Sequence, residues 1–213
     1  MKVDLIDSMG SDLTVVNAAR VSFDKTSSTL DDKDIKLINY LANHNHWSPF
    51  SHCFLQFRIK APIFIARQLG KHQVGLSWNE VSRRYVDSEP EFYEPETWRG
   101  KPENVKQGSD GEAKSQYFPN LYVEDVTQLA LTNYNKMIIQ GVAPEMARMI
   151  LPQNMYTEWY WSGSLYAFSR VCKLRLDKTS QVEVQQVARQ ISAYCTTQFP
   201  HSWNALMKET RHG

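Results

Sequence analysis

Residues 53 to 60 alternate between apolar and mainly polar side chains, which predicts a β-strand with one face toward the core. The apolar side carries Cys53, Leu55, Phe57 and Ile59, and the other side carries Phe54, Gln56, Arg58 and Lys60. Ala61 and Pro62 end this strand, and residues 63 to 72 predict a helix, because proline suits a first helical turn. We expect the polar side chains of this helix to share one face. They are Arg67, Gln68, Lys71 and His72.

Four further helices are predicted from apolar positions that recur at helical spacing. The helix predicted over residues 31 to 41 directs Ile35, Ile38 and Leu41 toward the core. Residues 122 to 140 place Val126, Leu129, Asn133 and Met137 on one face, and residues 164 to 174 predict another helix. Ser180 and Glu183 have the spacing of a capping box. The helix that they begin carries a stripe of Val184, Val187, Ile191 and Cys195.

These elements predict an α+β fold, with a small, mainly antiparallel sheet and several long helices, as a single domain over residues 1–213. The G-x-G-x-x-G fingerprint is absent from the sequence, so we expect no Rossmann unit. The amino-acid composition changes in one segment only, Ser88 to Asn120, which is rich in proline and glycine. This segment is too long for an ordinary connection, which indicates an insertion or a functional flap.

Composition narrows the class of protein. The formal net charge is +1, which argues against broad nucleic-acid binding, because that requires a strong basic stripe. Cys53, Cys172 and Cys195 have no metal-ligand spacing and lie among apolar neighbours, which favours buried, reduced thiols in a cytoplasmic protein and no metal site. The sequence contains no run of transmembrane length, and its first residues do not resemble a signal peptide, so we expect no membrane partner.

Residues 67 to 85 concentrate the hydrogen-bonding groups of the chain between a strand and a second extended piece. If residues 77 to 85 are extended, Glu80, Ser82 and Arg84 face the same way. Arg83 and Arg84 together offer two guanidinium forks suited to phosphate. A solvated charged face is the ordinary interpretation of such a segment. The flanking apolar runs and the glutamine, histidine and serine side chains favour a site for a small anionic ligand instead.

At these residues the sequence resembles the flavin-dependent thymidylate synthases. The family signature is Arg-Gln, then Arg-His-Arg, then a Ser-x-Asn-Glu-x-Ser-x-Arg-Tyr run. The matching residues here are Arg67-Gln68, Lys71-His72-Gln73, Ser77, Asn79-Glu80, Ser82 and Arg84-Tyr85. Two departures stand out: Lys71 and Gln73 replace both arginines of the triplet, and one extra residue lies in the stretch Val74 to Leu76.

Four more blocks resemble the same family in the same order. Residues 12 to 23 resemble its N-terminal strand and turn, and His44 to Phe50 resembles its histidine-rich turn before a strand. The later blocks are Ala147 to Pro152 with Tyr156-Thr157, and Leu174-Arg175 with Gln181 to Val184. Together the matches cover residues 7 to 190.

The resemblance implies reductive methylation of dUMP to dTMP. The carbon donor would be methylene-tetrahydrofolate, the hydride would come from FAD reduced by NADPH, and the protein would be a homotetramer whose subunits share each site. The other known route to dTMP uses a cysteine nucleophile, but no cysteine lies near residues 67 to 85 in sequence. The resemblance instead gives Arg175 the catalytic role of stabilising an ionised uracil, for which a planar, permanently charged group is suited.

The resemblance also implies the binding residues. Those for dUMP are Gln68, Lys71, Glu80, Val81, Ser82, Arg83, Arg84, Arg148 and Arg175. Those for FAD are Ser48, Lys71, His72, Gln73 and Glu80, together with Ser164 and Arg170, which stand where the family usually has asparagines. His46 would lie near the flavin ring, or is a histidine satisfied within its turn. Ser82 is interpreted as a phosphate ligand, because the sequence shows no Ser/His/Asp arrangement for a nucleophile.

Two rival classes remain open from the sequence. Another flavin oxidoreductase that moves hydride but no carbon would share the flavin residues without needing the nucleotide set. A non-catalytic nucleotide-binding or nucleic-acid-binding module would carry no flavin. Binding of a uracil nucleotide would distinguish a thymidylate synthase from the first rival. A flavin absorbance spectrum would exclude the second.

Overall fold

A four-stranded antiparallel sheet supports the core of the protein. In the computed structural model, which describes residues 1–86, 88–103 and 108–208, six strands are present. They are β1 (Lys2–Met9), β2 (Phe54–Pro62), β3 (Leu76–Glu80), β4 (Arg99–Gly100), β5 (Asp110–Glu112) and β6 (Tyr156–Ser164). The main sheet has the order β1-β2-β6-β3, and β4 and β5 form a separate two-stranded ribbon.

Eight α-helices are found in the described part of the chain. They are α1 (Asp12–Arg20), α2 (Asp32–Asn43), α3 (Ile63–Leu69), α4 (Tyr117–Ile139), α5 (Pro144–Ala147), α6 (Leu165–Arg175), α7 (Val182–Gln198) and α8 (Pro200–Met207). Short 3-10 turns cover Val21–Phe23, Ser48–His52 and Arg148–Ile150. The prediction of an α+β fold with a small antiparallel sheet and several long helices is confirmed.

The alternation predicted for residues 53 to 60 is confirmed in β2. Leu55, Phe57 and Ile59 are at most 1% exposed, whereas Phe54 is 43% exposed on the other face. Phe57 packs edge-on against Phe168 of α6, with ring centroids 5.0 Å apart. Because α6 covers this face, the helix that carries Arg175 is fixed to the sheet by apolar packing.

The N-terminal block is a helix, so the prediction of a strand and turn over residues 12 to 23 is wrong. Ser11 precedes α1, and its backbone N–H donates to the Thr14 hydroxyl at 3.0 Å. Val15 and Val16 are fully buried. Their β-branched side chains favour a strand in isolation, but the cap and the burial of one helical face outweigh this weak preference. The strand of this region is β1, which precedes the helix.

The helix after β2 is shorter than predicted. α3 ends at Leu69 with Gly70 as its C-cap, so Lys71 and His72 lie in the following turn and do not share a helical face with Arg67. Glycine weakens a helix interior, which accounts for the early end. The predicted extension of residues 77 to 85 is also shorter, because β3 ends at Glu80.

The other predicted helices are present, with two corrections. On α4, Val126 and Leu129 are 58% and 64% exposed, and the buried positions are Thr127, Ala130 and Tyr134. The predicted capping box of α7 is wrong as well. Gln181 is the N-cap, while the Ser180 hydroxyl donates to the Leu174 carbonyl at 2.9 Å. The α7 stripe of Val184, Val187, Ile191 and Cys195 is fully buried, as predicted.

The glycine- and proline-rich segment packs on the body of the protein where it is described. Phe92 forms an isolated bridge with Met155, and the Tyr93 N–H donates to the Asn154 carbonyl at 2.8 Å. Arg99 in β4 forms an ion pair with Glu183 at 2.7 Å. Residues 104–107 of this segment lie outside the described residues. A search of the described helices finds none with the length and apolarity needed to cross a membrane.

Candidate functional site

Arg175, the predicted catalytic residue, lies at the end of α6 and is held by two hydrogen bonds. Its Nε–H donates to Nε2 of His72 at 3.0 Å, and its Nη2 donates to the backbone carbonyl of Gln68 at 2.9 Å. Arg175 is more than 100 positions from the other two residues and meets them because the end of α6 lies beside the end of α3. These two hydrogen bonds fix the orientation of the guanidinium, and its remaining N–H groups are available to a ligand.

Arg175 forms no ion pair with a carboxylate of the described residues. Both of its hydrogen-bond acceptors are uncharged, and it belongs to none of the ion pairs of the described residues. Burial lowers the pKa of Arg175 below its ordinary value, yet a guanidinium stays protonated at any physiological pH. Arg175 therefore presents a positive charge that belongs to no ion pair of the described residues to the cavity that it lines with Gln68, Lys173 and Asp177.

His72 is the neutral partner of that guanidinium. Burial is the main cause that lowers the pKa of His72, and the charges of Arg175 and Arg170 lower it further. Since Nε2 accepts from Arg175, the ring proton of neutral His72 lies on Nδ1. The imidazole thus orients Arg175 without adding a competing charge.

The predicted flavin residues of the 67–85 segment line one open cavity of ≈ 460 Å³. Its lining includes Arg67, Lys71, His72, Gln73, Trp78 and Glu80, and we call it the β3 cavity. Glu80 is oriented by two donors: the Thr157 hydroxyl at 2.7 Å and the Trp78 ring N–H at 3.1 Å. Cations, an amide and an aromatic ring in one cavity are groups that suit a phosphate-bearing aromatic ligand.

The extra residue of the signature is accommodated between α3 and β3. Leu76 pairs with Gly163 of β6, and Gly75 has a φ of +76°. A Cβ at Gly163 would lie 2.5 Å from the Gly75 carbonyl oxygen, so only glycine allows the two backbones to approach this closely. This contact fixes the register of Ser77 to Glu80 on β6.

The predicted phosphate residues follow β3 in an exposed turn. The Val81 N–H donates to the Glu158 carbonyl at 2.9 Å, and Arg84 Nε donates to the Ser82 hydroxyl at 3.0 Å. The Arg84 guanidinium also lies 5.0 Å from the centre of the Tyr85 ring. Arg83 contacts the Ser88 carbonyl. This turn contributes no residue to the cavity that Arg175 lines.

Five predicted site residues lie elsewhere. Ser48 and His46 line a cavity of ≈ 1080 Å³ beside Trp47, and His46 shares a second, small cavity with Arg170. Arg148 is in a 3-10 turn, where its Nε donates to the Glu145 carbonyl at 3.1 Å. Ser164 is buried at 6% exposure, and its hydroxyl caps α6 by accepting from the Ala167 N–H at 3.1 Å.

One polar residue that sequence reasoning did not assign to the site contacts it, and a second is buried nearby. Gln181 accepts from the side chain of Gln68 at 2.7 Å, and Glu183 is buried beside it. Both belong to a block that resembles the family, but the spacing from Ser180 to Glu183 indicated a helix cap instead. Only the packing of α7 beside α3 brings Gln181 to Gln68.

The three cysteines are all fully buried. Burial, with a smaller contribution from the charge of Asp12, raises the pKa of Cys53 to about 12. Burial also raises the pKa values of Cys172 and Cys195 well above the ordinary thiol value. None is therefore a thiolate near neutral pH, and the prediction of buried, reduced thiols is confirmed.

Comparison with known proteins agrees with this fold and these motifs. The family model described as Thymidylate synthase complementing protein matches residues 4–201. A flavin-dependent thymidylate synthase of Thermus thermophilus is 41% identical over 99% of this chain and 77% of its own length. One from Thermosipho africanus is 38% identical over 96% of this chain and 90% of its own. The crystal structure of the UMP/dUMP methylase PolB from Streptomyces cacaoi, bound with 5-Br dUMP, superposes with a TM-score of 0.88 at 30% identity, covering 96% of this chain and 93% of that one.

The chain therefore belongs to the thymidylate synthase complementing protein family. This membership confirms the resemblance to flavin-dependent thymidylate synthases that the sequence indicated, and with it an enzyme of the methyltransferase class.

Proposed function

We propose that this protein methylates dUMP to dTMP, with FAD as its cofactor, methylene-tetrahydrofolate as the carbon donor and NADPH as the reductant. The single observation that carries the proposal is the state of Arg175. Its guanidinium is oriented by two neutral acceptors and has no carboxylate partner among the described residues. A guanidinium outside any ion pair stabilises an anion more strongly than one already paired, because no bound carboxylate has to be displaced.

In this mechanism Arg175 faces the N3–C=O edge of uracil and stabilises the ionised ring. The negative charge spread over the ring makes C5 nucleophilic, so no covalent attack on C6 is needed. The cysteines support this route, since a buried thiol with a pKa of about 12, as for Cys53, supplies no nucleophile at neutral pH. Lys173 lines the same cavity as Arg175 and adds to the attraction for an anionic nucleotide.

The donor set of the β3 cavity fits a flavin dinucleotide. Lys71 and Arg67 are cations for its diphosphate, and Gln73, His72 and Glu80 offer polar contacts in the same cavity. His46 and Ser48 line the cavity of ≈ 1080 Å³, where the Trp47 ring is 54% exposed and available to an aromatic ligand. When bound, FAD supplies the hydride for the reductive step, and these residues hold and orient it.

We further propose that subunits of a homotetramer share each site. The predicted nucleotide residues lie in separate places on one chain: Gln68 and Arg175 line one cavity, whereas Ser82 and Arg84 lie in an exposed turn. α4 also exposes Phe118, Tyr122, Val126 and Leu129 by 54 to 64%, an apolar surface larger than a solvated helix face requires. Association that buries α4 and brings the Ser82 turn of one subunit to Arg175 of another accounts for both features.

One experiment tests the proposed activity. The protein is purified and its absorbance spectrum recorded, then it is reduced anaerobically with NADPH with and without dUMP, and products are analysed after adding methylene-tetrahydrofolate. We expect a flavin spectrum, bleaching by NADPH and formation of dTMP. Bound FAD with every substrate present and no dTMP would contradict the proposal, and would favour an oxidoreductase that moves hydride but no carbon.

A further inference from the structure

Arg99 connects the β4–β5 ribbon to the body of the protein in two directions. Its Nη2 donates to both carboxylate oxygens of Glu183 at 2.7 Å, and its Nε donates to the Ser109 hydroxyl at 2.9 Å. Glu183 lies in the first turn of α7, and its side chain is only 4% exposed. One guanidinium therefore joins a buried carboxylate of the body to a hydroxyl of the ribbon.

The carboxylate that holds Arg99 is ionised at neutral pH. Burial acts to raise the pKa of Glu183, but hydrogen bonding and the charge of Arg99 bring that pKa below its ordinary value. The Tyr93 hydroxyl also donates to Oε1 of Glu183, at 3.2 Å. Because hydrogen bonds between ionised groups are stronger than those between neutral ones, Arg99 is held in one orientation toward the ribbon.

Ser109 is the neighbour of a residue that lines the proposed nucleotide cavity. Gly108 lines the cavity of Arg175 together with Gln68 and Thr179. Its φ is +89°, in the left-handed region that favours glycine, and a Cβ there would lie 3.6 Å from the Thr179 carbonyl oxygen. The ribbon therefore presents bare backbone to this cavity, next to the hydroxyl that Arg99 holds.

The base of the ribbon is attached to α4 without Arg99. The Trp98 N–H donates to Oε1 of Gln116 at 2.8 Å, and the Ala113 N–H donates to the Trp98 carbonyl at 2.8 Å. The ribbon should therefore stay in place when the bond from Arg99 to Ser109 is removed. What that bond adds is the position of the backbone beside Ser109.

We propose that Arg99 is a positioning residue that, through Ser109, holds the Gly108 backbone as a wall of the nucleotide cavity. The inference rests on the proposed function, in which the cavity of Arg175 takes dUMP. A wall held in place before the ligand arrives favours binding, because otherwise binding must also order the wall. The β3 cavity is lined by residues between Ile63 and Glu80, so FAD should bind independently of this wall.

The test compares two affinities for each protein. The dissociation constant of dUMP is measured by calorimetry on the FAD-loaded protein, and that of FAD by titration of the apoprotein. Ser109→Ala removes the acceptor on the ribbon while Arg99 keeps Glu183. We expect the dissociation constant of dUMP to rise by about threefold to tenfold, which corresponds to one hydrogen bond. That of FAD should stay within about twofold, because separate sites are nearly independent.

Arg99→Lys should have the same effect as Ser109→Ala. Lysine keeps the positive charge but lacks the planar fork that holds a carboxylate and a hydroxyl at once. Lys101→Ala is the matched control, because Lys101 is exposed in the same ribbon and its removal leaves Arg99 and Ser109 in place. This variant should retain the wild-type dissociation constants of both dUMP and FAD.

Amide hydrogen exchange gives a readout that a purely structural role would not change. In the wild-type protein, dUMP should slow exchange in the peptide that contains Gly108 and Ser109, and in Ser109→Ala this protection should be smaller. Ser109→Ala decides the question if Arg99→Lys fails to fold, because Ser109 is exposed.

Three results would overturn the positioning role alone. They are unchanged dUMP affinity in either folded variant, an equal loss of dUMP and FAD affinity, and no protection of the Gly108 peptide in a wild-type protein that binds dUMP. A wild-type protein that binds no dUMP would overturn the proposed function and this role with it.

Discussion

Arg175 donates its Nε–H to Nε2 of His72 at 3.0 Å, although 103 positions separate the two residues in the sequence. The contact joins a helix end to a turn and determines two properties together. It orients the guanidinium, and it requires His72 to be neutral, because a protonated imidazole accepts no hydrogen bond at a ring nitrogen. The orientation of the Arg175 charge and the pH dependence of the site therefore both depend on this one hydrogen-bonded pair.

The first prediction concerns the charge of Arg175. Arg175→Lys keeps a positive charge but loses the planar fork, and Arg175→Ala loses both. We expect dTMP formation to fall by about tenfold to a thousandfold, the range for removing one electrostatic stabiliser. Reduction of the flavin by NADPH should survive, because that half-reaction does not use the nucleotide charge. Arg189→Ala, on α7 beside Gln185, is the control and should keep normal turnover. Normal dTMP formation by Arg175→Ala would remove Arg175 from the mechanism.

The second prediction concerns pH. Burial, Arg175 and Arg170 lower the pKa of His72 from its ordinary 6.5, so turnover should fall on acidification only below pH 6.5. His72→Gln has no titratable group, and its pH profile should lack this acidic limb. The profile of kcat/KM for dUMP from pH 5 to 8 checks it. An identical limb in the variant would show that another group controls the acidic side.

Protein stability should follow the same titration with a defined sign. Because the folded pKa lies below the unfolded one, the unfolded chain binds a proton first as the pH falls from 6.5. The His72 contribution to the free energy of unfolding should thus decrease over that range and be constant above it. Urea unfolding of wild type and His72→Gln at several pH values gives the difference. A difference that rises toward acidic pH would contradict the assignment.

The third prediction concerns the departures from the family signature. Lysine lacks the bidentate fork of arginine, and glutamine lacks its charge, so we expect FAD binding here to be weaker and more sensitive to salt than with two arginines. Lys71→Arg combined with Gln73→Arg should tighten FAD binding, since both positions line the β3 cavity. Titration of apoprotein with FAD at two salt concentrations measures this. Unchanged affinity in the double variant, with Arg170→Ala also neutral, would show that neither the triplet nor Arg170 holds the cofactor.

The fourth prediction concerns the thiols. Cys53, Cys172 and Cys195 should react slowly with iodoacetamide in the native protein and quickly after unfolding, because burial suppresses the thiolate. Single alanine variants should lose stability while keeping dTMP formation within about twofold, since a buried packing group only fills space. Loss of turnover in a variant that remains folded would return a cysteine to the mechanism.

The fifth prediction concerns the contact between β3 and β6. Gly163→Ala would set a Cβ 2.5 Å from both the Gly75 carbonyl oxygen and the Leu76 side chain, so β3 must move. We expect a loss of about 1–3 kcal/mol in the free energy of unfolding, together with weaker FAD binding. Gly70→Ala is the control for stability alone, because Gly70 itself lines the β3 cavity: its Cβ would meet the Ala66 carbonyl oxygen at 3.2 Å, a less severe contact. Equal effects of the two substitutions would contradict the role given to Gly163.

Local patterns in the sequence determined much of the fold. The alternation of residues 53 to 60 and the stripe from Val184 to Cys195 each predicted an element and its buried face correctly, because each is set by which side chains leave water. The motif residues also predicted the family, since ordered polar groups at fixed spacing carry chemical information. β6 gave no such pattern, although Trp159 and Trp161 are buried in it.

Tertiary structure decided what depends on neighbours distant in the sequence. Whether residues 12 to 20 form a helix was decided by burial of Val15 and Val16, against their local preference. The neutral partners of Arg175, and the contact of Gln181 with Gln68, exist only because α6 and α7 pack beside the end of α3. A sequence pattern records which face of an element is apolar, but the charge, orientation and protonation of a polar group depend on the groups it meets in three dimensions.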